Sequence, residues 1–246
     1  MYNFFASEGS RAGDVFTLTG ADCNHIKNVL RMREGEKILV SEGGKSHLCE
    51  IDGIGEAAVT ARVLEENHRE TELPVKIYLF QGLPKSDKME LIIQKAVELG
   101  VYEIVPVEMH RSVVKLDEKK KESRRERWQA IAESAAKQSK RNVIPTVCGV
   151  LSYKQAMEKA GEMGLFLVPY ENERGMAATK EALAKMERGM SVGILIGPEG
   201  GFEPKEIALA AESCGELISL GARILRTETA AITSVGMCML HAETEL

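Results

Sequence analysis

Short β-rich stretches punctuated by glycines fill the first 70 or so residues, and after them the hydrophobic pattern switches to longer, alternating units. "DVFTLTG" predicts a strand and "ADCNHIKNVLRM" a short helix. "EKILVSEGG", "KSHLCEIDGIG" and "AAVTARVLEE" predict three further strands joined by tight turns. A run of this kind implies a small β-barrel. "NHRETELP", polar and ending at Pro74, predicts a linker.

Beyond it strands and helices alternate. "VKIYLFQGL" predicts a strand. "SDKMELIIQKAVELG" sets Met89, Ile92, Ile93 and Ala96 at i, i+3, i+4 and i+7, the spacing of an amphipathic helix, and Gly100 closes it. "VYEIVPV" predicts the next strand. A long helix from about Asp117 to Arg141 turns Trp128, Ile131, Ala132 and Ala135 inward at the same spacing. The pattern continues with "SYKQAMEKAGEM" (helix), "GLFLVPYE" (strand), "MAATKEALAKMERG" (helix) and "SVGILIG" (strand). Pro204 suits the first turn of a helix that buries Ile207, Ala210, Ala211 and Cys214 and stops at Gly215. "ELISLG" predicts a short strand, "ARILRT" a loop, and "ETAAITSVGMCMLHA" a final apolar helix. Such alternation implies a mainly parallel sheet covered on both faces. Ligands of these sheets bind at the carboxyl ends of the strands. Three strand ends are marked by glycine or proline: Val168-Pro169, Ile196-Gly197-Pro198 and Leu220-Gly221.

Charge adds a contrast that the net value of −5 conceals. Residues 1–75 carry 8 Lys+Arg against 13 Asp+Glu, residues 76–142 carry 15 against 10, and residues 143–246 carry 9 against 14. A basic middle between acidic flanks fits either a local anionic partner or a solvated helix face. The bases of "KKKESRRER" surround their helix and do not form one stripe. The five cysteines stand singly with no CxxC pair, and the five histidines lack metal-ligand spacing, so a reduced cytoplasmic protein without a metal site is expected. No apolar run approaches the ~18 residues needed to span a bilayer, and the N-terminus shows no secretory signal.

The stretch "ILIGPEGGFEPKE" carries the densest candidate chemistry. Gly197, Gly200 and Gly201 let the backbone turn sharply and a ligand come close. A plain strand-to-helix turn would use the same residues. "GPEGGFE" matches neither GxxxxGK[ST] nor GxGxxG, and Glu199 within the turn would repel a pyrophosphate. A neutral or cationic ligand fits better: an adenosine held by backbone groups, or a sulfonium. "SLGARILRTETA" then sets Arg223, Arg226, two threonines and Glu228 beside apolar Leu220, Ile224 and Leu225.

Together, "LIGPEGGFEPKEI" and "LGARILRTETAAI" resemble the signature of the RsmE family, bacterial methyltransferases that act on small-subunit ribosomal RNA. "HIKNVLRMREGE", "GLPKSDKMELIIQKAVELGV", "RSVVK" and "RWQAIAESAAKQSKRNVIP" are similar to further blocks of that family, in the same order along nearly the whole chain. The start "MYNFF" departs from it, with Asn3 where members often carry arginine.

The resemblance implies an α/β fold of the SPOUT class, with a parallel sheet and a C-terminal trefoil knot over residues 73–246, and a PUA-like RNA-binding barrel over residues 1–72. It implies S-adenosylmethionine (SAM) gripped by Leu167, Val168 and Pro169, by Ile196, Gly197, Pro198, Glu199, Gly200 and Gly201, and by Leu220, Ile224, Leu225, Arg226, Thr229 and Ala230. The implied reaction is methylation of N3 of a uridine near the decoding centre of 16S rRNA in the small ribosomal subunit. Arg226 is the expected stabiliser of charge developing on the base, with Glu199 or Glu228 orienting it or accepting the proton. A carboxylate base would need a raised pKa. The target base must be unpaired or flipped out. Phosphates would meet Lys85, Lys88, Lys95, Arg111 and Arg141 of the middle segment, and Arg31 and Arg33 of the barrel. Gln94 and Gln138 are polar readers or helix-surface residues. A homodimer is expected, with the helix holding Met237, Cys238, Met239 and Leu240 as core or interface. The rival functions are 2′-O-ribose methylation by the same fold, a non-catalytic RNA-binding protein, and a metabolic α/β enzyme using a nucleotide.

Overall fold

The computed structural model describes residues 1–85, 87–171 and 175–246. They divide into two compact units. The first takes Met1–Glu72 and Ala136–Ile144; the second takes Leu73–Ala135 and Pro145–Leu246.

The first unit is a six-stranded sheet of β1 (Asn3–Phe5), β2 (Arg11–Ala12), β3 (Val15–Thr19), β4 (Lys37–Glu42), β5 (Lys45–Ile54) and β6 (Ala58–Arg69). Their order is β1-β4-β5-β6-β3-β2, antiparallel except for β1 beside β4. Among the described residues the two end strands of this order are not paired with each other, so the barrel expected from sequence is a sheet as paired. Gly43 and Gly44, both at positive φ, make the two-residue turn between β4 and β5, a backbone shape that disfavours side chains. α1 (Gly20–Asn24) runs straight into a π-helical turn, His25–Val29. Phe4, Phe16, Ile26, Ile38, Ile51 and Val59 form the heart of the core. β6 extends three residues into the expected linker, because Arg69 still pairs with Ser46 of β5.

Residues 136–144 complete this unit. Asn3 Nδ2 donates to the Arg141 carbonyl at 3.0 Å, and Ser41 Oγ donates to Asn3 Oδ1 at 3.2 Å. The Asn142 amide donates to Glu72 Oε1 at 2.9 Å, and its side chain to the Arg69 carbonyl at 2.9 Å. Arg141, 3% exposed, is paired with Glu72. This corrects the expectation that Arg141 meets an RNA phosphate: its guanidinium already has a carboxylate partner and is closed off from solvent. Asn3 is equally buried and bonds only inward, a structural role.

The second unit holds β7 (Lys76–Gly82), α2 (Lys88–Glu98), β8 (Glu103–Glu108), most of α3 (Glu118–Ser139), β9 (Thr146–Val147), β10 (Leu151–Ser152), α4 (Tyr153–Ala160), β11 (Leu165–Pro169), α5 (Ala177–Leu183), β12 (Ser191–Ile196), α6 (Pro204–Glu212), β13 (Gly215–Ile218) and α7 (Thr227–Glu245). The strands form one parallel sheet in the order β10-β8-β7-β12-β11-β13, with β9 also beside β8. Burial on both faces explains their nearly unbroken apolar runs, such as Val192 and Ile194–Ile196 of β12. α2 buries Met89, Ile92, Ile93 and Ala96 as its spacing predicts, and Gly100 follows at φ +93°. In α3, Trp128, Ala132 and Ala135 are buried, while Ile131 is half-buried.

α6 differs from expectation. It ends at Glu212, Ala211 and Cys214 are exposed, and Gly215 opens β13. The residues it buries are Ala210 and Glu206. Glu206 lies inward because its carboxylate accepts from the Glu203 amide at 2.8 Å and the His110 amide at 2.9 Å.

Candidate active site at three strand ends

The carboxyl ends of β11, β12 and β13 open into a cavity of about 560 Å³. That volume lies within the usual range for small-molecule sites, roughly 300–1,000 Å³. Pro169, Tyr170 and Glu171 line it after β11, Ile196 to Phe202 after β12, and Ser219 to Thr227 with Ala230 after β13; Lys88 of α2 completes the wall.

The loop after β12 is backbone-lined for steric reasons. A Cβ on Gly200 would stand 2.8 Å from Arg111 Cβ, and one on Gly197 would stand 3.3 Å from the Phe202 ring. Arg111 also grips this loop with its side chain, donating from Nη1 to the Gly200 carbonyl at 3.1 Å and from Nε to Glu203 at 2.8 Å. Phe202 in turn meets Tyr170 edge-on, with ring centroids 6.4 Å apart. The loop after β13 is pinned at its root: Thr179 Oγ1 donates to the Ser219 carbonyl at 2.8 Å and accepts from the Ser219 amide at 3.1 Å.

Charge at the cavity rim centres on Lys88. Its ammonium lies 3.0 Å from Glu199 Oε1 and 3.3 Å from Glu228 Oε2. The Lys85 amide donates to the same Glu199 oxygen at 3.0 Å. Burial would raise the Glu199 carboxyl, but bonds from its own amide and that of Lys85, together with the Lys88 ammonium, outweigh burial and hold it below its usual value. Lys88 is itself held above the usual lysine value, chiefly by its hydrogen bond to Glu199. Both carboxylates therefore serve Lys88, where the sequence suggested that they orient Arg226. A raised Glu199, suited to proton abstraction, is likewise not what this geometry produces. Arg226 is exposed at the start of α7 and forms no ion pair among the described residues.

Of the residues expected to hold the cofactor, Pro169, Ile196, Gly197, Pro198, Glu199, Gly200, Gly201, Leu220, Ile224, Leu225, Arg226 and Ala230 line the cavity. Leu167 and Val168 are wholly buried within β11, and Thr229 is exposed on α7 outside the lining. Tyr170 and Phe202 line the cavity and were not singled out by sequence, although each directly adjoins a residue that was. Of the expected phosphate ligands, Lys85 is exposed, Lys95 is paired with Glu98 at 2.9 Å, and Arg111 is partly exposed while gripping the glycine loop. Arg31 and Arg33 are exposed in the first unit. Among the described residues no group of three or more His, Cys, Asp or Glu side chains could hold a metal ion, and no helix is long and apolar enough to cross a membrane.

Comparison with known proteins adds an independent line. Residues 71–239 match the family model of an RNA methyltransferase domain, and residues 18–64 match that of an RNA methyltransferase PUA domain. Ribosomal RNA small subunit methyltransferase E of Bacillus subtilis is 40% identical over 233 residues, covering 93% of this chain and 91% of its own. The protein of the same name from Mycobacterium bovis is 32% identical over 242 residues, covering 95% and 89%. A crystal structure of ribosomal RNA small subunit methyltransferase E from Neisseria gonorrhoeae, bound to S-adenosyl methionine, is 31% identical and superposes with a TM-score of 0.84 over 98% of this chain and 97% of that one.

Proposed function

The chain belongs to the ribosomal RNA small subunit methyltransferase E family, and from that membership we propose that it moves a methyl group from SAM to N3 of a uridine in 16S rRNA, uridine 1498 by family resemblance. The observation that carries the proposal is the cavity where three strand-end loops meet, walled on one side by glycine backbone. The residues present fit SAM. Bare backbone at Gly197–Gly201 allows close approach to an adenosine, and Leu220 and Leu225 offer apolar walls.

SAM, when bound, supplies a methyl group on positively charged sulfur. The chain's task is to make N3 a nucleophile and to aim it. The N3 lone pair is delocalised and the atom carries a proton, so negative charge must gather on the flanking carbonyl oxygens as that proton passes to solvent water. Arg226, exposed at the cavity and without a carboxylate partner among the described residues, is the group able to meet that charge. Glu199 and Glu228 act through Lys88, keeping an ammonium at the cavity edge. Alignment of N3 with the methyl group contributes roughly 7–11 kcal/mol in favourable cases.

The same proposal assigns Arg31, Arg33, Lys85 and Arg111 to RNA phosphates, and the first unit, built on residues 1–72, to a PUA-like RNA-binding role. It includes a trefoil knot in the second unit, residence in the cytoplasm, and a homodimer, for which the exposed Leu91 of α2 and Leu240 of α7 are candidate contacts. The deciding experiment incubates the protein with labelled SAM and small subunits lacking the modification, then identifies the methylated nucleoside by mass spectrometry. The expected product is 3-methyluridine at one site. Label on ribose or on another base would overturn the N3 assignment.

A further inference from the structure

β7 sends no residue into the cavity wall, yet its end is bonded to two of the segments that do. Gln81 is wholly buried. Its amide nitrogen donates to the Gly82 carbonyl at 2.9 Å and to Thr227 Oγ1 at 3.0 Å. Thr227, the first residue of α7, in turn donates a hydrogen bond from its hydroxyl to the Gly197 carbonyl at 2.7 Å. The direction of this relay is fixed by elimination. Turning the Gln81 amide over would set its oxygen against the Gly82 carbonyl, so the nitrogen must face both acceptors. With a donor already on one side of Thr227, its single hydroxyl proton is committed to Gly197. A second contact backs the first: a Cβ on Gly82 would lie 2.8 Å from the Pro198 ring, so the end of β7 sits hard against the glycine loop.

We infer that Gln81 is a positioning residue for the cavity. Through Thr227 it sets the register between the loop after β12 and the start of α7, and so places Arg226 against the glycine backbone. This rests on the proposed SAM function for the meaning of the cavity, but the mechanical link does not. Gln81 touches no ligand in this role; it acts through two intermediaries.

The test uses Gln81→Met, Thr227→Val, the double variant and Thr227→Ser. Hydrogen exchange is followed in the full-length protein without ligand, and SAM affinity is measured by calorimetry. Gln81→Met and Thr227→Val should each speed exchange in residues 197–201 and 221–228 while the interiors of β7 and β12 stay protected. Each should weaken SAM binding about tenfold, the loss of one buried hydrogen-bond link. Thr227→Ser, which keeps the hydroxyl, should restore most of what Thr227→Val loses. The double variant should bind no worse than the weaker single, because both break one relay. Additive losses, exchange that rises throughout the chain, or unchanged SAM affinity would overturn the inference. A wild-type protein that fails to bind SAM while the local exchange pattern holds would instead overturn the assignment of the cavity and leave the relay standing.

Discussion

Arg141 and Arg226 are the same residue type in opposite settings, and the difference decides what each can do. Arg141 is closed off and paired with Glu72, so Arg141→Ala should leave a carboxylate without its partner and cost about 3 kcal/mol, read from urea unfolding. Arg226→Ala should leave the melting temperature unchanged and lower kcat about 10²- to 10³-fold, the usual loss for one donor aimed at developing charge. Unchanged turnover would remove Arg226 from the mechanism. Sequence expected both to meet RNA, because the Glu72 partner that closes off Arg141 lies 69 residues away along the chain. Glu199 makes a pH prediction. Its carboxyl is lower in the folded chain than its ordinary value of 4.5, so ionisation favours folding. That contribution is complete above about 4.5 and disappears as pH falls through the folded value. Glu199→Gln should therefore lose less stability than wild type between neutral and acid pH. Identical acid slopes in stepped-pH denaturation would refute the assignment.

At the scale of elements, the longer strands (β3 to β8 and β11 to β13) and α2 were legible because burial on both faces, or on one stripe, writes itself into the apolar pattern, whereas β1, β2, β9 and β10, of two or three residues each, are too short to show a period. The α6 terminus was not. Its expected inward row assumed a helix reaching Gly215, whereas Glu206 turned a polar side chain inward to cap two backbone amides. The clamp of Arg111 on the glycine loop was also illegible, since it joins residues 89 apart in sequence. Its consequence is testable through Gly200→Ala. The added methyl would press on Arg111, moving the loop, and should weaken SAM binding about tenfold or more, whereas simple turn chemistry would predict little change. The three cavity loops themselves could be located from their glycine and proline marks, while Lys88 as the shared partner of Glu199 and Glu228 needed coordinates.

For the molecule as a whole, net charge says little about an anionic partner. The acidic total coexists with exposed Arg31, Arg33 and Lys85. RNA affinity should fall steeply as salt rises, and replacing Arg31 or Arg33 by alanine should reduce the slope of log affinity against log salt by about one if each meets a phosphate. A slope that stays fixed would assign them elsewhere. Order along the chain and order in space also diverge. Residues 136–144 supply partners for Asn3, Ser41, Arg69 and Glu72, all made far earlier. At roughly 5–20 residues per second, a nascent chain that has finished residue 72 waits several seconds before residue 144 is joined. During that interval the first unit lacks its last segment, and its exposed gap is the place where a chaperone or protease would find the newborn protein.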